Sequence, residues 1–104
     1  MPRRKKPTVQ FGGDPVLDAP VVATLDLHGM IVAEATVQLR NFLTSASRVK
    51  RGKVVRVITG RGRGSERGAV LRPAVARLLK GPLALFVADY SIDADEGSYL
   101  VLLK

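Results

Sequence analysis

The chain carries a histidine two residues after an acid. His28 is the sole histidine in the sequence, and it follows Asp26 in the run Leu25-Asp26-Leu27-His28-Gly29. Side chains alternate between the two faces of a strand, so Asp26 and His28 are predicted to share one face while Leu25 and Leu27 take the other. An imidazole exchanges protons near neutral pH, and a carboxylate beside it can orient it, polarise it or hold a metal ion. The pair therefore indicates acid–base chemistry.

A second chemical stretch follows about thirty residues later, with the sequence Thr59-Gly60-Arg61-Gly62-Arg63-Gly64-Ser65. Its glycines permit close backbone approach, and amides leading into a following helix form a plausible phosphate cradle. The arginines available to clamp phosphate oxygens are Arg61, Arg63, Arg67 and Arg72. A base together with positive groups is what phosphodiester hydrolysis requires.

Each feature taken alone has a simpler interpretation. His28 could be a strand-end residue bonded to nearby backbone, and Asp26 could cap a loop. The glycine run could be a tight connection, since it lacks the full dinucleotide fingerprint and the terminal Gly-Lys-Ser/Thr of a P-loop. Only their combination with the basic charge described below, and with the family resemblance that these stretches carry, favours a functional site.

The elements that must position these residues follow from hydrophobic periodicity and from turn residues. In chain order they are strand 21–27, helix 32–49, strand 53–59, helix 69–80, strand 83–90 and strand 98–103. The run from Gly60 to Gly68 is predicted to be a loop and Ser91 to Glu96 a polar turn. Pro73 lacks an amide hydrogen and is tolerated best in a first turn, so the second helix is expected to begin near Val70.

This order predicts an α/β fold, a two-layer sandwich of a four-stranded mixed sheet and two helices that ends in an antiparallel hairpin. Two helices cover only one face of the sheet, yet the run 83–88 is apolar on both faces. The N-terminal extension or a partner chain could cover the second face. The predicted core residues are Leu39, Phe42, Leu43, Val55, Val57, Leu71, Val75, Leu78, Leu85 and Val87.

Composition limits the class of protein. A chain of 104 residues is long enough for one domain, which we place at residues 21–104. Residues 1–20 form a basic, Pro- and Gly-rich extension. The extension is either a solvated tail or an arm that packs on the domain or contacts phosphate. The absence of cysteine excludes a disulfide framework, a thiolate zinc site and a cysteine nucleophile. Neither a signal peptide nor a membrane span is recognisable, so we expect a cytoplasmic protein without a membrane partner.

Charge points to a polyanionic partner, with nucleic acid as the first candidate. Seventeen Lys and Arg against nine Asp and Glu give a formal net charge of +8. Nine basic residues and one acid, Glu66, lie between Arg48 and Arg72. Within that region, the cluster of Arg48, Lys50, Arg51 and Lys53 is either a solvated helix end or an extension of the binding face.

Five ordered motifs resemble the small MutS-related (Smr) domain. They are Leu25–Gly29, the helix opening Val32–Ala35, the Val57–Gly62 loop with Ser65 beyond it, the helix start Leu71–Val75 and the final hydrophobic strand. The resemblance implies a fold similar to the C-terminal domain of translation initiation factor three, with nucleic-acid binding and often nicking endonuclease activity on DNA or RNA. It also implies that Asp26, His28, Thr59, Gly60, Arg61 and Gly62 form the functional site.

The chain departs from the family at one place. Smr domains usually carry Gly-Gly-x-Gly-Ala before the last strand, whereas this chain reads Ala94-Asp95-Glu96-Gly97-Ser98. The loop should be stiffer and more negative near phosphate, which bears on cleavage more than on fold. Family members also differ in their use of divalent metal; the sequence has no dedicated metal motif, so Mg²⁺ or Mn²⁺ stays an open alternative.

The sequence is consistent with three hypotheses of function. The first is a stand-alone nicking endonuclease with Asp26 and His28 at its chemical centre. The alternative is a non-catalytic module that binds nucleic acid or the ribosome, which the altered loop and the 5% aromatic content favour, since few aromatic residues mean backbone contacts more than base stacking. A protein–protein adaptor carries less weight because nucleic acid already accounts for the charge. The sequence does not assign an oligomeric state.

Overall fold

A computed structural model of the chain describes residues 16, 19–60, 66–93 and 97–104, with backbone alone for 66–68. The strands are β1 (Val21–Asp26), β2 (Val54–Ile58), β3 (Val87–Asp93) and β4 (Ser98–Leu103), and the helices are α1 (Val32–Val49) and α2 (Glu66–Lys80). A short 3₁₀ turn, Ala84–Phe86, precedes β3. The predicted β-α-β-α-β-β order and the α/β class are confirmed.

The strands form one mixed sheet in the order β1-β2-β4-β3. β1 is parallel to β2, and β4 is antiparallel to both β2 and β3, so the predicted terminal hairpin is confirmed. Consequently β1, β2 and β3 end where β4 begins. The cross-strand row Asp26, Ile58, Ser98 and Asp93 marks this edge, which we call the site edge.

Both helices pack on one face of the sheet and enclose the main core. α1 buries the stripe Ala35, Leu39, Leu43 and Ala46, which recurs at helical spacing. These side chains share a cluster with others from α2, with Val55 and Val57 of β2 and with Val101 of β4. Each fully buried aliphatic side chain stabilises the fold by about 1.5–3 kcal/mol, so the core holds the strand ends firmly in register.

The predicted start of α2 is wrong, because the helix begins at Glu66 and carries Pro73 in its interior. An interior proline removes one backbone hydrogen bond and costs about 3 kcal/mol. Leu71, Val75 and Leu79 are 2% exposed or less. Their burial outweighs the proline penalty, so the helix continues through Pro73.

The predicted bounds of the third strand are also wrong. The amides of Ala84 and Phe86 bond to the carbonyls of Gly81 and Leu83, which makes a 3₁₀ turn where an extended segment was expected. β3 then continues to Asp93, into the predicted polar turn. Leu85 is 64% exposed and is not a core residue. A short apolar run fits a strand or a helical turn equally well, so periodicity could not separate the two.

The second face of the sheet is covered in part by the N-terminal extension. Val16 is fully buried and packs in a small cluster with Val54 and Leu100, bordered by Val21 and Leu102. Of the two covers left open by the sequence, the extension supplies at least this side chain. Neither helix in the described ranges is long and apolar enough to cross a membrane.

Candidate functional site

The acid and the histidine meet just beyond the end of β1. Leu27 extends the strand pairing by donating its amide to the Ile58 carbonyl at 2.8 Å, and the chain then turns as the Met30 amide bonds to the Leu27 carbonyl at 3.0 Å. Within that turn, Asp26 Oδ1 accepts the backbone N–H of His28 at 3.0 Å. The same oxygen lies 3.3 Å from His28 Nδ1. One carboxylate oxygen thus fixes both the loop and the ring.

Both side chains of the pair are open to solvent. The exposed fraction is 71% for His28 and 57% for Asp26. An exposed ion pair contributes at most about 1 kcal/mol to stability. The arrangement therefore does little for the fold, and it leaves the ring accessible to a ligand.

The loop after β2 starts beside this pair, because Asp26 and Ile58 are register partners. The amides of Thr59 and Gly60 donate to the Gly97 carbonyl at 2.9 Å and 3.0 Å. Gly60 and Gly97 have φ of 100° and 63°, a backbone region that favours glycine. Gly97 is the glycine that this chain keeps in its altered family motif, and it joins the start of β4 to the glycine-rich loop.

Thr59 faces inward at this junction. Its side chain is 1% exposed, and its hydroxyl lies 3.2 Å from the Gly60 carbonyl and 3.3 Å from the Gly97 carbonyl. At that burial the hydroxyl helps to position the start of the loop.

Arg56 organises the same edge and was missed by the sequence analysis. Its Nη1 donates to Ser98 Oγ at 2.8 Å and lies 3.2 Å from Asp93 Oδ2. Asp93 ends β3 and Ser98 begins β4, so one guanidinium binds both strands of this antiparallel pair. The signal in the sequence was a lone charge inside Val54-Val55-Arg56-Val57-Ile58.

The remaining predicted contacts divide into two groups. Arg61, Gly62, Arg63 and the departing stretch 94–96 lie outside the described residues, as does the side chain of Arg67. Arg72 is described: it is half-buried in α2, and its carbonyl accepts the Tyr99 hydroxyl at 2.8 Å. The structure brings together Asp26, His28, Thr59 and Gly60, and the roles of the arginines stay predictions.

The donor set does not form a metal site by itself. In the part of the chain that is described, no three His, Asp or Glu side chains are grouped closely enough to hold a metal ion. Asp26 and His28 offer two donors, and the oxygen of Asp26 that faces the ring is already bonded to an amide.

Comparison with known proteins agrees with the fold and the motifs. A family model of the Smr domain matches residues 25–104, from the end of β1 through β4. A search of curated proteins found no match. The family match includes the acid–histidine turn, the start of the glycine-rich loop and Gly97.

Proposed function

The chain belongs to the Smr domain family, and from that premise we propose that it binds nucleic acid and nicks phosphodiester bonds of DNA or RNA. The observation that carries the proposal is the exposed Asp26–His28 pair, held 3.3 Å apart beside the first residues of the glycine-rich loop. The net charge of +8 supplies long-range attraction to the polyanion.

His28 is the general base in this proposal. With Nδ1 turned to Asp26, Nε2 is the nitrogen left for a substrate, and the carboxylate favours the tautomer in which Nε2 is unprotonated. Nε2 takes the proton from water, or from the neighbouring 2′-hydroxyl in RNA, as the new P–O bond forms. The bond to the leaving oxygen then breaks, and solvent protonates that oxygen. Asp26 stabilises the imidazolium that results, as carboxylates do in hydrolytic triads.

Backbone amides and arginines are proposed to stabilise the phosphate. The glycine-rich loop leads directly into α2, so the positive end of that helix dipole points toward the site edge. Arg61, Arg63 and Arg67 follow Gly60 in sequence and are the candidates to neutralise charge that develops on the phosphate oxygens.

The test compares nicking of supercoiled plasmid and of a structured RNA by the wild-type protein and three variants. General acid–base catalysis contributes about 10²–10⁴-fold, so we expect His28→Ala to lower the rate by at least about 100-fold. Asp26→Asn should keep the hydrogen bond that the His28 amide donates, and with it the conformation of the turn. It should slow cleavage by more than about tenfold, because the negative charge beside the imidazole is lost. Gel quantification of nicked product measures both effects.

The matched control is Asp89→Ala. Asp89 is another exposed strand aspartate whose carboxylate accepts a backbone amide, that of Tyr90 at 2.8 Å, but it lies at the far end of the sheet. It should cleave like the wild type. Equal nicking by all variants would refute the assignment, since the activity would then come from a contaminant. Salt-sensitive binding without cleavage would instead favour the alternative, a non-catalytic nucleic-acid- or ribosome-binding module.

A further inference from the structure

A second concentration of positive charge lies at the end of the sheet opposite the site edge. Its members sit where both helices end, where β2 begins and where β4 ends; this basic pole consists of Arg48, Lys50, Arg51, Lys53, Lys80 and Lys104. β2 runs from the pole to the site edge over five residues, so the two ends are separated by roughly 17 Å. The cluster at 48–53 therefore does not extend the candidate site.

The backbone beneath these cations is held by hydrogen bonds between distant segments. Lys53 donates its amide to the Lys50 carbonyl at 3.0 Å, and Gly52 donates to the Leu103 carbonyl at 3.1 Å. Leu103 returns a bond to the Lys53 carbonyl at 3.0 Å, and the Lys104 amide bonds to the Phe86 carbonyl at 3.1 Å. The pole is thus a fixed platform for its side chains.

Structural roles account for only part of the pole. Arg48 and Lys80 stand in the last turns of α1 and α2, where cations complement the helix dipole. Lys50, Arg51, Lys53 and Lys104 are not in a helix, and no ion pair recorded between described residues includes them. Gathering like charges without internal partners costs free energy through self-repulsion.

We propose that the basic pole is a second nucleic-acid-binding surface, so that one domain contacts two duplex segments or two arms of a folded nucleic acid. The inference rests on the proposed function, because it assigns the same class of partner to the second end. Lys and Arg side chains suit backbone phosphates, which dominate affinity for nucleic acid. The two surfaces face opposite directions, so a single straight duplex cannot cover both.

A bridging assay tests the pole directly. One duplex is immobilised on beads, the full-length protein is added, and capture of a second, fluorescent duplex is measured at about 0.1 M salt. The variant Arg51→Ala/Lys53→Ala removes two exposed pole cations, and the control Arg40→Ala removes an exposed cation from the middle of α1. We expect the pole variant to lose second-duplex capture by more than about tenfold and the control to stay within about twofold.

The salt dependence and the nicking rate separate the two ends. Loss of two phosphate contacts should reduce the slope of log affinity against log salt for the second duplex by up to about 1.8. Binding of a single short duplex and its nicking should be unchanged in the pole variant. Equal capture of the second duplex by the pole and control variants would overturn the proposal. A pole variant that loses binding to the first duplex as strongly as capture of the second would also overturn it.

Further outcomes distinguish this proposal from the proposed function. A wild-type protein that binds one duplex but never two refutes the pole alone, whereas one that binds no duplex refutes both proposals. Bridging of two duplexes by the cleavage-deficient His28→Ala protein would support a second binding surface at the basic pole independently of cleavage.

The basic pole is also bordered by the exposed apolar side chains of Val49 and Leu85. Anionic phosphatidylserine vesicles are therefore tested in parallel. Vesicle binding that depends on the pole cations, without duplex bridging, would assign the surface to a membrane instead.

Discussion

The two charged pairs, Arg56–Asp93 and Asp26–His28, differ in solvent exposure and therefore in what they do for the protein. Arg56 and Asp93 form an ion pair with 23% and 26% of each side chain exposed, and they join two strands. Asp26 and His28 lie in a similar pairing but are mostly exposed. Solvent screens the second pair far more than the first, so its main effect is to orient an accessible imidazole.

Tyr99 makes the free energy of unfolding depend on pH at alkaline pH. It is 5% exposed, its ring meets Tyr90 edge-on at 5.8 Å, and its hydroxyl donates to the Arg72 carbonyl. Burial raises the pKa of Tyr99 above the ordinary 10.0; the Arg72 guanidinium opposes this and Tyr90 adds to it. Below pH 10 both folded and unfolded chains keep the phenol proton. As the pH rises further, the unfolded chain releases it first, so the free energy of unfolding falls.

Tyr99→Phe should therefore lower the free energy of unfolding by about 1 kcal/mol at neutral pH, since one hydrogen bond is lost. Above pH 10 the gap to the wild type should narrow, because the phenylalanine protein has no proton to lose at this position. Urea titrations from neutral pH to beyond pH 10 measure both effects. A gap that stays constant across this range would show that the burial of Tyr99 does not govern its ionisation.

Sequence reasoning brings together residues whose contact is local along the chain. Asp26 and His28 are two positions apart, but His28 lies beyond the end of β1, so the turn in which Asp26 Oδ1 accepts the His28 amide brings them together, and strand alternation does not. Arg56 and Gly97 act through partners 37 to 42 residues away along the chain. Their roles depend on the β1-β2-β4-β3 order, which places β4 between two strands that precede it in sequence. Composition does not encode that order, so the role of Arg56 and the hydrogen-bond partners of Gly97 were found only from the structure.

The Arg56 clamp acts at the scale of whole elements. Because the guanidinium binds the end of β3 and the start of β4, it closes the base of the hairpin. The adjacent Gly97 then presents its carbonyl to Thr59 and Gly60. A side chain inside β2 thus helps set the position of the glycine-rich loop without facing it.

Arg56→Met is expected to destabilise the protein by about 1–3 kcal/mol, because a half-buried carboxylate and a hydroxyl lose a charged donor. Arg40→Met is the matched control: Arg40 is exposed on α1, and its substitution should change stability by less than about 0.5 kcal/mol. Urea midpoints measure both. A double-mutant cycle with Asp93→Asn isolates the pair, and a coupling energy near zero would contradict the clamp.

Element boundaries were predictable where one signal dominated. α1 runs over Val32–Val49 as its apolar stripe and the following Gly52 predict. α2 extends four residues before Val70, so Pro73 lies in the interior of the helix and not in its first turn. The apolar run before β3 forms a 3₁₀ turn because the amides of Ala84 and Phe86 find carbonyls three residues back. In both cases a single sequence rule, the first-turn preference of proline or the apolar run, did not identify the element that forms.

The whole molecule has two ends with different electrostatic character. The N-termini of α1 and α2 face the site edge, where helix dipoles favour anions, and their C-termini face the basic pole, where side chains carry the positive charge. Only one short strand separates Lys53 from Gly60 in sequence, yet that strand carries the chain from one end to the other. Sequence proximity left open that residues 48–53 extend the binding face, whereas the structure places them and the candidate site at opposite ends of the sheet.

Val16 tests where the folded unit begins. The side chain precedes the predicted domain boundary at residue 21, but it is fully buried against Val54 and Leu100. Val16→Ala removes two buried methyl groups and should lower the free energy of unfolding by about 1–2.5 kcal/mol. The control is Val49→Ala, because Val49 is 78% exposed. The control substitution should change the free energy of unfolding by less than about 0.5 kcal/mol. Thermal and urea unfolding of the pair measure the difference. Equal stabilities would mean that the extension is a solvated tail and that the second face of the sheet depends on another cover.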